Sequence, residues 1–135
     1  MTGPRCLAIV ASALLAGCGR TKDFAGFEAY KRFADALVQG RYEDARSMAG
    51  SPQVLEQIGE VEHREDKYGP MTGPVAKVNY LLKEQTETPD GFVTVRADQW
   101  ITRDSYGMAA TQVRKHLAKL AREGGAWKVK FFDEK

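Results

Sequence analysis

Few residues in this 135-residue chain have side chains suited to chemistry: there are two histidines and two cysteines. His63 stands in His63-Arg64-Glu65-Asp66, where an imidazole beside carboxylates could act as a general base or bind a metal. His116 lies far from it in sequence, within a basic stretch. Cys6 and Cys18 both fall in the first 18 residues, so what folds after them has neither a disulfide nor a thiolate centre. Two histidines far apart in sequence, without a pattern of residues to orient them and with no cysteine after Cys18, do not point to a dedicated zinc site. Both read as ordinary surface or strand residues, and the sequence calls for no metal and no cofactor. Tyr30 and Asp98 are the other candidates. If both lined one cavity, Asp98 could be a desolvated base and Tyr30 a donor across from it. If Asp98 faces outward, Phe92 and Trp100 beside it form an apolar patch flanked by charge, suited to a second copy or another protein. The strand's apolar balance favours the outward arrangement, with Tyr30 in the core, and no residue is assigned a catalytic role.

The elements that must position these residues are legible from periodicity. Between Phe24 and Val38 the positions Phe27, Tyr30, Phe33, Ala34, Leu37 and Val38 recur at three- and four-residue spacing, the stripe of an amphipathic helix. Gly40 stops it. Tyr42, Ala45, Met48 and Ala49 continue the pattern as a short second helix ending at Gly50. Ser51-Pro52 reads as an N-cap followed by proline at the first helical position, where a missing N–H costs nothing. A third helix with Leu55, Ile58 and Val61 on one face fades into the charged run Glu62 to Lys67, and Gly69-Pro70 and Gly73-Pro74 end it.

After Pro74 the period changes from 3.6 to 2. Val78, Tyr80 and Leu82 alternate within Val75 to Thr88, and Pro89-Asp90-Gly91 marks a turn. The next strand, Phe92 to Thr102, places Val93, Val95, Ala97 and Ile101 on one face, the better core face, against Phe92, Thr94, Arg96, Asp98 and Trp100 on the other. Val113 to Arg122 fits helix or strand by spacing alone. The Glu123-Gly124-Gly125 turn and the alternating Trp127, Val129 and Phe131 behind it favour strand. The expected fold is α+β: N-terminal helices packed on a curved, four-stranded antiparallel sheet, one domain over residues 24–135.

Ahead of this domain, Cys6 to Gly17 is an uncharged apolar block preceded by a single Arg5, which reads as the h-region and short n-region of an export signal. Arg20, Lys22 and Asp23 end it well short of the roughly 20 residues a membrane span needs. The block closes with Leu15-Ala16-Gly17-Cys18, which resembles the lipobox of bacterial lipoproteins. That resemblance implies cleavage between Gly17 and Cys18, a diacylglycerol on the Cys18 thiol and an acyl chain on the new amine. With more than one chain buried, attachment to the bilayer would be stable. Gly19 rather than Asp after the cysteine implies the outer membrane, facing the periplasm. Residues 18–23 would then be a tether of at most about 20 Å. Without Arg5 the 20 basic residues become 19 against 18 acidic, a balance that makes no case for nucleic acid.

Two stretches of the domain are similar to the nuclear transport factor 2-like superfamily, the cone-shaped fold shared by ketosteroid isomerases and polyketide cyclases. One is Phe33-Ala34-Asp35-Ala36-Leu37-Val38-Gln39-Gly40-Arg41-Tyr42-Glu43-Asp44-Ala45, like that superfamily's first helix, glycine and second helix. The other is Gly124-Gly125-Ala126-Trp127-Lys128-Val129-Lys130-Phe131-Phe132, like its last strand. Isomerases of this kind use a tyrosine on the first helix and acids in the cone, but no local motif aligns Tyr30 with that role. The resemblance implies a binding or accessory domain. An isomerase- or cyclase-like enzyme acting on an apolar ligand is the alternative, and a subunit of an envelope complex is a third reading. The expected partners are the bilayer through acylated Cys18 and either an envelope protein or a second copy.

Overall fold

A computed structural model describes residues 23–68 and 73–135, with backbone alone at 66–68. The export signal, the lipobox and Cys18 lie outside the described residues.

Three helices precede four strands. Helix α1, Ala25–Val38, buries Tyr30, Phe33, Ala34 and Leu37 of the stripe its spacing predicts, together with Ala29, while Phe27 and Val38 are half-buried. The Ala25 amide donates to Asp23 Oδ1 at 2.9 Å, which satisfies one of the free donors of its first turn. Gly40 follows in the left-handed region at φ 75°, and the Arg41 amide closes back on the Ala36 carbonyl at 2.8 Å. Helix α2, Tyr42–Met48, contributes Ala45 to the core. Ser51 then donates to the Lys130 carbonyl at 2.7 Å and accepts from the Val54 amide at 3.3 Å, so it caps helix α3 and ties it to the last strand. Helix α3, Pro52–Tyr68, runs on through the charged stretch where the apolar stripe fades. Ion pairs hold it there: Arg46 reaches Glu62, and Arg64 lies 4.0 Å from Glu134.

The strands are β1 (Val75–Glu87), β2 (Val93–Ser105), β3 (Met108–Glu123) and β4 (Ala126–Glu134), antiparallel in sequence order. The β2–β3 hairpin is longer than alternation suggests. Its pairing continues from Val93↔Leu120 to Ser105↔Met108 and turns at Tyr106-Gly107, where both residues have positive φ. Residues 103–112 carry no apolar alternation, so backbone pairing rather than side-chain burial extends the hairpin. Along β2, Val93, Val95, Ala97, Gln99, Ile101 and Arg103 form the buried face.

Helix α1 lies close on this face: a Cβ at Gly26 would come within 2.8 Å of Val93 Cγ1. On the other side Gln53 pairs with the Phe132 backbone, donating to its carbonyl at 2.8 Å and accepting from its amide at 3.1 Å. The Gly50 amide donates to the Val129 carbonyl at 2.7 Å. The core therefore fills the space between α1, the start of α3 and the concave face of a curved sheet, with Phe33 and Phe132 in edge contact, ring centres 5.1 Å apart, near its centre.

Candidate functional site

The first set of polar groups inside this cone comes from three elements. On β3, Ala118 and Leu120 point inward, and alternation carries His116 to the same side. The β3–β4 register sets Glu134 directly across from it. Helix α1 delivers Tyr30 from above. The result is a chain of contacts: Tyr30 Oη lies 2.6 Å from His116 Nδ1, and His116 Nε2 lies 3.1 Å from Glu134 Oε2. The Tyr30 ring stands edge-on to both His116 and Tyr80, and Phe132 closes the other side of the imidazole at 4.9 Å.

The protons follow from the partners. Glu134 feels burial, which alone would raise its pKa, but the hydrogen bond from His116 and the charges of Arg114, His116 and Arg64 outweigh it and hold the carboxyl below its ordinary value. An ionised Glu134 only accepts, so the imidazole donates to it from Nε2, while Nδ1 faces the Tyr30 hydroxyl. Burial pushes the Tyr30 phenol far above its ordinary value, reinforced by Tyr80, Glu134, Asp98 and Asp35, so it stays a neutral donor.

A second network lies beside the first. Tyr80 on β1 donates to Asp35 Oδ1 at 2.5 Å and accepts from Gln99 Nε2 at 3.0 Å. Burial raises this phenol too, the hydrogen bond to Asp35 adds to the shift, and the bond from Gln99 works against it. Asp35 also reaches the surface, in an open groove of about 290 Å³ between α1 and α2 lined by Arg32, Arg41 and Asp44. Charge in that groove balances, two arginines against two aspartates.

Sequence reasoning treats His116 as an ordinary strand residue; the structure corrects this, since the ring is buried and bonded at both nitrogens. The signal was available in the inward parity of Ala118 and Leu120. It was masked because the larger Val113 and Leu117 stand on the other face. His63 is exposed on α3. Tyr30 is in the core. Asp98 alternates with Ala97 and Gln99 and so belongs to the outer face, where Lys83 lies 3.9 Å away. Trp100, 43% exposed, shares that face, and Phe92 at its start is half-buried. The sheet therefore separates Tyr30 from Asp98, and no group of three or more His, Cys, Asp or Glu side chains among the described residues is arranged to hold a metal.

No protein-family model and no curated protein matches the chain. Solved structures do. A ketosteroid isomerase-like protein from Erwinia carotovora atroseptica is similar at a TM-score of 0.56 and 15% identity, over 79% of this chain and 89% of that one. A protein from Catenulispora acidiphila is similar at a TM-score of 0.61 and 13% identity, over 93% of each chain. A nuclear transport factor 2-like protein of unknown function from Shewanella oneidensis is similar at a TM-score of 0.56 and 9% identity, over 80% of this chain and 93% of that one. At these identities the likeness speaks for architecture alone. Three helices on a curved four-stranded antiparallel sheet, with these neighbours, give the chain the nuclear transport factor 2-like α+β cone fold.

Proposed function

We propose that this is an exported protein lipidated on Cys18, anchored in the outer membrane and facing the periplasm, whose cone domain binds a partner and catalyses nothing. One observation carries the binding reading. The deep polar groups of the cone are turned on one another, Tyr30 to His116 to Glu134 and Gln99 to Tyr80 to Asp35. A general base must present a lone pair to a substrate proton, and here His116 Nδ1 is engaged with the Tyr30 hydroxyl and Asp35 Oδ1 with Tyr80. The isomerase-like alternative needs Asp98 and Tyr30 in one cavity, whereas the sheet stands between them. The anchor reading rests on Leu15-Ala16-Gly17-Cys18 at the end of an uncharged block. Expressing the full precursor beside a Cys18→Ala variant tests it: mass spectrometry should find a membrane-bound form beginning at lipid-modified Cys18, and a soluble or unprocessed variant. A wild-type chain cleaved elsewhere or left whole would overturn the anchor.

A second reading, a subunit of an envelope complex, is favoured by the outer face of the sheet. Register aligns Asn79, Trp100 and Val113 across three strands, with Leu81 in the neighbouring row. Trp100, Leu81 at 49% and Val113 at 39% exposure form an apolar band there. Such a band fits a protein surface of matching shape, a second copy included.

A further inference from the structure

Arg103 is the exception to the pairing inside the cone. It lies on the inner face of β2, two positions beyond the fully buried Ile101, and is itself only 9% exposed. Its Nη1 donates to the Gly73 carbonyl at 3.0 Å. No carboxylate of the described residues lies within 4.0 Å of the guanidinium, although Arg64 and Arg114 each have one and Arg46 has two. A cation withdrawn from water to this degree is strongly disfavoured without a counter-charge. The bond to Gly73 occupies one end of the fork. It leaves the Nε and Nη2 edge, the pair of parallel N–H donors whose spacing matches the two oxygens of a carboxylate.

The surroundings give this edge an approach. Across β3 the inner-face positions are Gln112, opposite Ile101, and Ala110, opposite Arg103, and both are exposed. The inner face is therefore uncovered on that side of Arg103, whereas deeper in the cone Ala118 and Leu120 are sealed. On the other side Arg103 pairs with Val75 of β1. Val75 and Ala110 supply apolar walls, and the arginine is held in place: the Asp104 amide donates to the Pro74 carbonyl at 3.0 Å, and Gly73, at φ 83°, leaves no room for a side chain against the Asp104 carbonyl.

We propose that the inner sheet face beside Arg103 is a binding site for a small organic acid, with the carboxylate on the free edge of Arg103 and an apolar body against Val75 and Ala110. The proposal rests on the binding reading above and names its ligand chemistry. It needs no anchor, so failure of Cys18 lipidation and failure of this site are read in separate experiments.

The test uses the full chain in detergent, titrated with sodium benzoate, sodium acetate or sodium chloride at constant ionic strength. Benzoate should raise the melting temperature saturably, acetate more weakly, and chloride not at all. Arg103→Gln retains a donor for Gly73 and should weaken benzoate binding about tenfold or more. Should that variant fail to fold, the wild-type arginine Nε–H resonance decides: it should shift and saturate with benzoate. A flat melting temperature with an unmoved resonance, an equal response to chloride, or a benzoate response that survives Arg103→Gln would overturn the proposal and leave Arg103 as the clamp of Gly73 alone.

Discussion

Tyr30 and His116, 86 positions apart, meet through a 2.6 Å contact that joins the first helix to the third strand in the middle of the core. The contact is one link of a chain that ends on Glu134, whose side chain keeps 24% exposure, so an interior hydroxyl is connected through one ring to the surface. Removing the hydroxyl strands an imidazole nitrogen in an apolar setting. Tyr30→Phe should therefore destabilise the domain by about 1 to 3 kcal/mol, the cost of leaving a buried acceptor unsatisfied. Urea denaturation of both proteins measures it. His116→Leu combined with Tyr30→Phe should cost less than the two single changes together, because neither partner is then left alone.

Acid stability should depend on Glu134. Its folded pKa is depressed, so the unfolded chain binds the proton more readily and ionisation of Glu134 favours the fold. That contribution is fully present above the unfolded value of about 4.3 and disappears as pH falls through the lower folded value. Glu134→Gln removes the dependence, so its stability should change less than that of the wild type between about pH 5 and pH 2. Denaturation midpoints across this range give the comparison; parallel curves would show that Glu134 contributes no such linkage.

Gly26 is required by proximity. A methyl there would sit 2.8 Å from Val93 Cγ1, closer than any carbon contact allows. Alanine favours a helix by up to about 1 kcal/mol over glycine, but forcing apart packed elements costs about 1 to 3 kcal/mol. Gly26→Ala should lower the melting temperature, and adding Val93→Ala should recover part of the loss by making room. Recovery in the double variant, read by calorimetry, distinguishes a clash from a backbone effect.

Trp100 separates folding from partnership. It stands on the outer sheet face, away from the buried set of β2, so Trp100→Ala should change stability by less than about 1 kcal/mol. Loss of a co-purifying envelope protein, or of a dimer in analytical ultracentrifugation, is the expected effect. Unchanged association would remove the outer face from consideration.

The elements were largely legible because their burial is periodic. Tyr30, Phe33, Ala34 and Leu37 mark α1, and Val93, Val95, Ala97 and Ile101 mark the inner face of β2. What stayed hidden lacked that pattern. The far half of the β2–β3 hairpin, where residues 103–112 pair by backbone, has no apolar alternation to betray it. The charged end of α3 is held by ion pairs from Arg46 and Arg64, which depend on tertiary placement. Glu134 could not be matched with His116 before the β3–β4 register was known, since Lys130 adds a residue to β4 that shifts the pairing between Lys119 and Leu120. Arg103 lies beyond Ile101, the last apolar residue of the alternation, so no pattern marked it as buried.

Because the first helix finds some of its core partners on the last two strands, a chain emerging from the ribosome cannot complete this core early. Tyr30, Phe33 and Ala49 are made long before His116, Phe132 and Val129, against which they pack or pair. Contacts so distant in sequence form slowly, since the entropy of the intervening loop is lost first. Under the proposed export such delay would be useful: a signal could engage the translocation machinery while the rest is still an open, pliable string.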